Sequence, residues 1–311
     1  MARRLRIQYP GATYHVINRG NYRGEVFGSV GAAKAFETVL GEGCEMFGWV
    51  VHAYVVMRNH FHLALETPEP NLVDGMHWLQ STYATRFNRF RRESGHLFQG
   101  RYQALLIEND AALARVVDYI HLNPVRARIV AAEQTSAFRW SSLIRFRRGE
   151  RPLWLRASRW LGHHKLNDND DGWARYAERL AQIAGTADRR RDHDELCRGW
   201  AIGTSGWRRA IARDHQHMAL QPGVARNEIA ELKHARWATA LEKALASSGH
   251  SAESLRTERK GAPWKRQLAI QLRGEAGASH AWLAENLHMG CANSVRAWIN
   301  GVAVRNMHIS A

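Results

Sequence analysis

Two histidines bracket one phenylalanine in NHFHLALE, residues 59 to 66. Alternate side chains of a strand share a face, so His60 and His62 project together while Phe61 and Leu63 turn the other way. Two imidazoles converging from one sheet face make a possible metal half-site, although such a pair alone is more often two surface or half-buried polar residues. A second cluster lies in DYIHLNPV, where Tyr119 and Asn123 are four residues apart and share a helix face. Its plainer readings are a packed aromatic and a polar residue closing the helix end. If that face turns toward the strand pair, one phenol, two imidazoles and one amide oxygen meet. Such a set can hold a hard divalent cation, Mg²⁺ or Mn²⁺, on mixed N and O ligands with open positions. A tyrosine with a free pKa of about 10 is a poor nucleophile at neutral pH, and a cation polarising a phosphodiester beside it supplies the missing help. Asp118 and His121 flank Tyr119, but neighbouring helix positions point elsewhere and neither is assigned a role.

The elements that must position these groups occupy the first 145 residues. TYHVINRG reads as a strand and GAAKAFETVLGEGCEMFG has helical spacing. WVVHAYVVM and HFHLALET form a strand pair broken at Arg58 and Asn59, so an antiparallel hairpin is expected. NLVDGMHWLQSTYATRFNRFRRES follows as a helix capped by Asn71 or Thr67, then a strand in RYQALLIE and a helix in NDAALARVVDYIHL stopped by Pro124. The order β-α-β-β-α-β-α predicts an α+β, ferredoxin-like or RRM-like fold, an antiparallel sheet with helices on one face. Residues 146–260 read as an Arg- and Trp-rich helical connector with no nameable chemistry. Residues 261–311 close an all-α C-terminal region that resembles a helix-turn-helix. Ala281, Leu283, Ala284 and Leu287 give a first apolar face, His288 to Gly290 the turn, and Val295, Trp298 and Ile299 the second helix. In that motif the second helix enters the major groove of duplex DNA; an ordinary helical hairpin is the alternative.

Several separated motifs, PGATYHVINRG, YVVMRNHFHLALETP, GHLFQGRYQALLIE and DYIHLNPVRARIV, occur in an order that resembles the single-tyrosine HUH transposases, most closely the REP-associated tyrosine transposases. The resemblance covers about residues 5 to 130. It implies an HUH nuclease domain that cuts single-stranded DNA beside a small palindromic hairpin. It makes His60 and His62 the metal ligands, Tyr119 the nucleophile and Asn123 the third ligand. It also implies a 5′-phosphotyrosine intermediate with a free 3′-hydroxyl, hence strand rejoining. Arg58 stands where relatives commonly have proline, and Asn123 where insertion-sequence relatives carry glutamine.

The chain has 311 residues, 45% of them apolar, with a net charge of +15 and an isoelectric point near 10.4. Such a surplus predicts an anionic partner, nucleic acid first, since no run of about 18 apolar residues could span a membrane. Of the 44 basic residues, 38 are arginine, which favours phosphate forks and base stacking. Arg86, Arg89, Arg91 and Arg92, interleaved with Phe87 and Phe90, form a stripe suited to phosphates and unstacked bases, or else an amphipathic helix with its phenylalanines inward. Arg58 is a further phosphate candidate. Arg3, Arg4 and Arg6 are expected to form a basic arm, which in relatives contributes to hairpin recognition. The start of the chain lacks the apolar core of a signal peptide, so a cytoplasmic, nucleoid-associated protein is expected. Cys44, Cys197 and Cys291 form no C-x-x-C pair, and neither a disulfide framework nor a cysteine zinc site is suggested. Two other function classes remain: a non-cleaving DNA-binding regulator of such repeats, and an RRM-like RNA module, whose sheet face would need exposed aromatics where this chain places histidines. Monomer and homodimer are both compatible with the sequence.

Overall fold

The computed structural model describes residues 5–149, 151–186, 188–220 and 229–307. The chain divides into two compact units, Arg4–Thr204 and a second beginning at Ser205. The division falls inside the segment read from sequence as a connector, because residues 146–204 pack with the sheet.

The first unit is built on β1 (Ala12–Arg19), α1 (Val30–Phe47), β2 (Val50–Val56), β3 (His60–Thr67), α2 (Leu72–Arg91), β4 (Gln103–Ile107) and α3 (Asp110–His121). This is the expected order. The sheet order is β2-β3-β1-β4, all antiparallel, and β1 pairs with β3 so that Arg19 lies opposite His60 and Ile17 opposite His62. Local chemistry sets the boundaries: the Ser29 side chain accepts from the Ala32 amide to start α1, and Gly48 ends it at φ 66°. The Asn109 side chain likewise caps α3. Asn71 precedes α2 without capping it. Its Nδ2 instead donates to the Phe47 carbonyl (2.9 Å) and its Oδ1 accepts from Trp49 Nε1 (2.7 Å), tying α1 to α2.

The two sheet faces differ. Tyr14, Val16, Phe61, Leu63 and Leu65 are buried, and Phe61 meets Phe36 of α1 at 4.7 Å between ring centroids. On the opposite face lie Thr13, His15, His62 and Glu66, together with His52 from a bulge in β2. The sequence predicts helices on one face alone; here α3 lies across the polar face and later elements complete the cover. These are α4 (Asn123–Arg126), α5 (Ser142–Arg148), α6 (Ser158–His163), α7 (Asp170–Thr186), α8 (Arg189–Cys197) and a short β5 (Ala201–Ile202), which adds to β4 in parallel. A sheet face rich in histidine and carboxylate cannot be buried by apolar packing alone. The covering segment accordingly brings polar partners: Arg159 reaches Glu66 (2.7 Å) and Asp110 (2.8 Å), and Trp160, fully buried, donates to the His52 carbonyl at 3.1 Å.

The second unit is helical where described: α9 (Ser205–Asp214), α10 (Ala230–Ser248), α11 (Ala252–Thr257), α12 (Pro263–Ala276), α13 (His280–Asn286) and α14 (Ala292–Met307). Its core gathers Trp237, Leu268, Leu272, Leu283, Leu287, Met289 and Val295. The expected helix pair is present as α13 and α14, joined by a turn in which His288 and Gly290 adopt φ of 52° and 89°. One face residue differs: Ala281 is exposed and Trp282 is buried in its place. Lys265 is wholly buried, and its Nζ donates to the Leu255 and Glu258 carbonyls at 2.7 and 3.0 Å. Among the described residues, no helix is long and apolar enough to cross a membrane.

Candidate metal and nucleophile centre

β3 delivers His60 and His62 to one point of the polar sheet face, their ring centroids 5.2 Å apart. α3 delivers Tyr119 to the same point, 5.6 Å from the His62 ring. Asn123, two residues past the end of α3 and the first of α4, donates its Nδ2 to the Tyr119 carbonyl at 2.9 Å and hydrogen bonds His60. The four residues singled out from two distant sequence motifs thus converge. Asp118 and His121 turn away, as their helix positions require. Asp118 accepts from Tyr176 (3.0 Å) and Arg179 (3.0 Å), and His121 bonds Tyr176 and Ser142, both at 2.9 Å.

The hydrogen bonds fix the imidazole tautomers. The Leu196 carbonyl can only accept, so His15 Nδ1 carries the proton in their 2.7 Å contact. That leaves His15 Nε2 as an acceptor, and His62 Nδ1, 2.9 Å away, must donate to it. His62 Nε2 therefore keeps its lone pair. His60 Nδ1 lies 2.7 Å from the Asn59 side-chain oxygen, and Asn123 hydrogen bonds the same ring. Burial holds all three imidazoles neutral, with His15 and His60 pushed down to about 4 and His62 well below its ordinary value. Two neutral imidazole nitrogens and one amide side chain fit a divalent cation with N and O ligands, and the Nδ1 partners are the outer hydrogen bonds that orient metal-binding histidines.

Arg126, Cys197 and His15, none of them assigned a role from the sequence, surround the phenol. Arg126 stacks its guanidinium over the Tyr119 ring at 4.2 Å and pairs with Asp192 of α8. Cys197 hydrogen bonds the Tyr119 hydroxyl, and its own thiol is pushed up to about 11 by burial. Tyr119 is only 7% exposed, and burial raises its pKa above the ordinary value while Arg126 pulls the other way. Arg126 follows Tyr119 by seven residues, two helical turns, a spacing that marks a shared face. The β1–β3 register and the fold-back of α8, which bring in His15 and Cys197, leave no local signature.

The arginines are more dispersed. Arg3 and Arg4 lie outside the described residues. Arg6 is half-buried, stacked on Tyr102 at 3.7 Å. Arg58 is exposed and paired with Glu25; Arg86 grips Glu42 through two bonds of 2.8 and 2.9 Å. Arg89, Arg91 and Arg92 are exposed, with Arg91 3.4 Å from Glu93. Phe87 packs against Tyr83, whereas Phe90 is 82% exposed, so the stripe divides between core and surface.

Residues 8–123 match the family described as transposase IS200 like. A Haemophilus influenzae protein described as a REP-associated tyrosine transposase is 30% identical over 103 residues. That match takes in 29% of this chain and spans 58% of the relative's length. Among solved structures, a REP-associated tyrosine transposase bound to a REP hairpin aligns with 50% of this chain and 92% of its own, at 21% identity and a TM-score of 0.41. A transposase structure from Deinococcus radiodurans aligns with 41% of this chain and 92% of its own, at 22% identity and a TM-score of 0.29.

Proposed function

We propose that this protein is a metal-dependent single-strand DNA endonuclease and strand-transferase that acts beside palindromic hairpins through a 5′-phosphotyrosine intermediate, a reading supported by the match of residues 8–123 to the IS200-like transposase family. The convergence of His60, His62, Asn123 and Tyr119 on one buried point carries this reading. His60 and His62 through Nε2, with Asn123, would hold Mg²⁺ or Mn²⁺. When bound, such a cation supplies positive charge to the non-bridging oxygens of the scissile phosphate.

Tyr119 is the nucleophile. Its hydroxyl gives up a proton, forms the bond to phosphorus, and the 3′-oxygen leaves and takes up a proton; the reverse attack by a 3′-hydroxyl reseals a strand. Arg126 holds the ring by stacking and opposes the burial that keeps the phenol protonated. A second phosphate-facing role for Arg126 follows from its position, since its charge lies next to the oxygen that reacts. The exposed Arg89, Arg91 and Arg92 and Phe90 would track the strand electrostatically and by stacking, and α14 would approach a duplex flank.

The test is a cleavage assay on single-stranded hairpins drawn from repeats flanking the gene, with Mg²⁺ or Mn²⁺, resolved on a denaturing gel. A metal-dependent protein–DNA adduct formed by the wild type and absent in Tyr119→Phe is expected. A hairpin shifted on a native gel without any adduct under either metal would assign the protein instead to non-cleaving repeat binding.

A further inference from the structure

The hydrogen-bonded pair His15–His62 has a third neighbour with metal-binding capacity. The ligand atoms of His15, His62 and Cys197 all lie within 4.8 Å of one another, and all three residues are buried. Tetrahedral zinc with bonds of about 2.0 Å to nitrogen and 2.3 Å to sulfur has ligand–ligand edges of roughly 3.5 Å. Side-chain adjustment within the cluster bridges that difference. We propose that His15, His62 and Cys197 form a second metal site, selective for a thiophilic divalent cation of the Zn²⁺ class, whose occupancy excludes a cation from the His60–His62 pair.

Three observations support the site. His15 already has the arrangement of a metal-binding imidazole, with Nδ1 donating to a backbone carbonyl and Nε2 facing the cluster. That carbonyl belongs to Leu196 and the thiol to the next residue, so the end of α8 supplies both the orienting acceptor and the sulfur ligand. The Tyr119 hydroxyl, bonded to Cys197, stands ready as a fourth, oxygen ligand. Thiolate and imidazole together select zinc-like ions over Mg²⁺ or Mn²⁺.

Exclusion follows from the His62 tautomer. The nitrogen facing His15 is Nδ1, which now carries the proton. A cation bound there displaces that proton to Nε2, the nitrogen the His60–His62 pair would need, and also engages the proposed nucleophile. The exclusion rests on the proposed function; the site itself does not.

The experiment uses Co²⁺ as a spectroscopic stand-in for Zn²⁺ on the full chain carrying Cys291→Ser, which removes the exposed thiol. One bound Co²⁺ with thiolate-to-cobalt charge-transfer absorption is expected. The band should persist in His60→Ala, disappear in Cys197→Ser, and need at least tenfold more Co²⁺ in His15→Gln, each variant checked for folding by circular dichroism. Absence of the band, or its survival in Cys197→Ser, overturns the site. For exclusion, bound Mn²⁺ is followed by electron paramagnetic resonance: one equivalent of Zn²⁺ should release it, except in Cys197→Ser. Retention of Mn²⁺ alongside Zn²⁺ overturns exclusion. Failure to bind Mn²⁺ at all counts against the His60–His62 assignment and leaves the cobalt result to decide the second site.

Discussion

His15 Nε2 lies 2.9 Å from His62 Nδ1, and this contact decides which nitrogen of His62 is available to a cation. An unconstrained histidine side chain favours a proton on Nε2; the Leu196 carbonyl, acting through His15, imposes the opposite tautomer. His15→Ala should therefore lower Mn²⁺ affinity by about 10- to 100-fold, the usual consequence of losing an outer-shell partner. Calorimetric titration measures the loss. Nitrogen-15 NMR of the metal-free protein should show His62 protonated on Nδ1 in the wild type and reverting in the variant; an unchanged tautomer would sink the idea.

Arg126→Ala should reduce the cleavage rate by about 100-fold while leaving hairpin affinity nearly unchanged, because its guanidinium sits on the Tyr119 ring rather than on an exposed DNA-binding face. Arg126→Lys should restore little, since a point charge cannot stack over the ring and hold Asp192 together. Single-turnover adduct formation measured beside hairpin binding separates the two effects. A parallel loss of affinity would make Arg126 a general phosphate contact.

The legibility of this site followed the range of the interactions that build it. His60 with His62, and Tyr119 with Asn123, are spaced by the periods of strand and helix, so shared faces could be read directly. The order of strands and helices was legible for the same reason. His15 belongs to another strand, and its pairing with the site depends on a register in which Ile17 lies opposite His62. Cys197 and Asp192 arrive on α8, more than 60 residues beyond Asn123, and packing of that helix onto a polar sheet face has no periodic signature. The 146–204 segment looked like a connector for a related reason. Its residues Arg159, Trp160, Tyr176 and Arg179 satisfy buried partners contributed by other elements, contacts that no spacing within the segment announces.

One consequence is a defined acid sensitivity. A hydrogen bond from His52, then one from Arg159, lowers the Glu66 carboxyl to about 2, against the opposing effect of burial. A carboxylate with a depressed folded pKa contributes stability above its unfolded value, near 4.5, and loses it as pH falls toward 2. Glu66→Gln should cost about 2 kcal/mol at neutral pH, after discounting for the share of the side chain that water still reaches. Urea melts should show the gap between wild type and variant narrowing as pH falls from 4.5 toward 2. A gap constant with pH would mean the carboxylate charge is not what binds the covering segment.

Packing on the opposite face makes a sharper mechanical prediction. A Cβ built on Gly75 of α2 would stand 2.1 Å from the six-membered ring of Trp49, whose indole is held by the Nε1 bond to Asn71. Glycine there is a requirement of close approach between α2 and the start of β2, not of backbone conformation. Gly75→Ala should destabilise the first unit by about 3 kcal/mol despite the better helix propensity of alanine, as overpacking does in a filled core. Trp49→Phe removes the clashing part of the ring and opens room for the methyl group. In that background the same substitution should cost at least 1.5 kcal/mol less, roughly half the penalty, a coupling that a double-mutant cycle of denaturant melts reads directly. Equal penalties in both backgrounds would show that α2 shifts as a body to accept the methyl, and that the helix is not fixed to the sheet through Trp49.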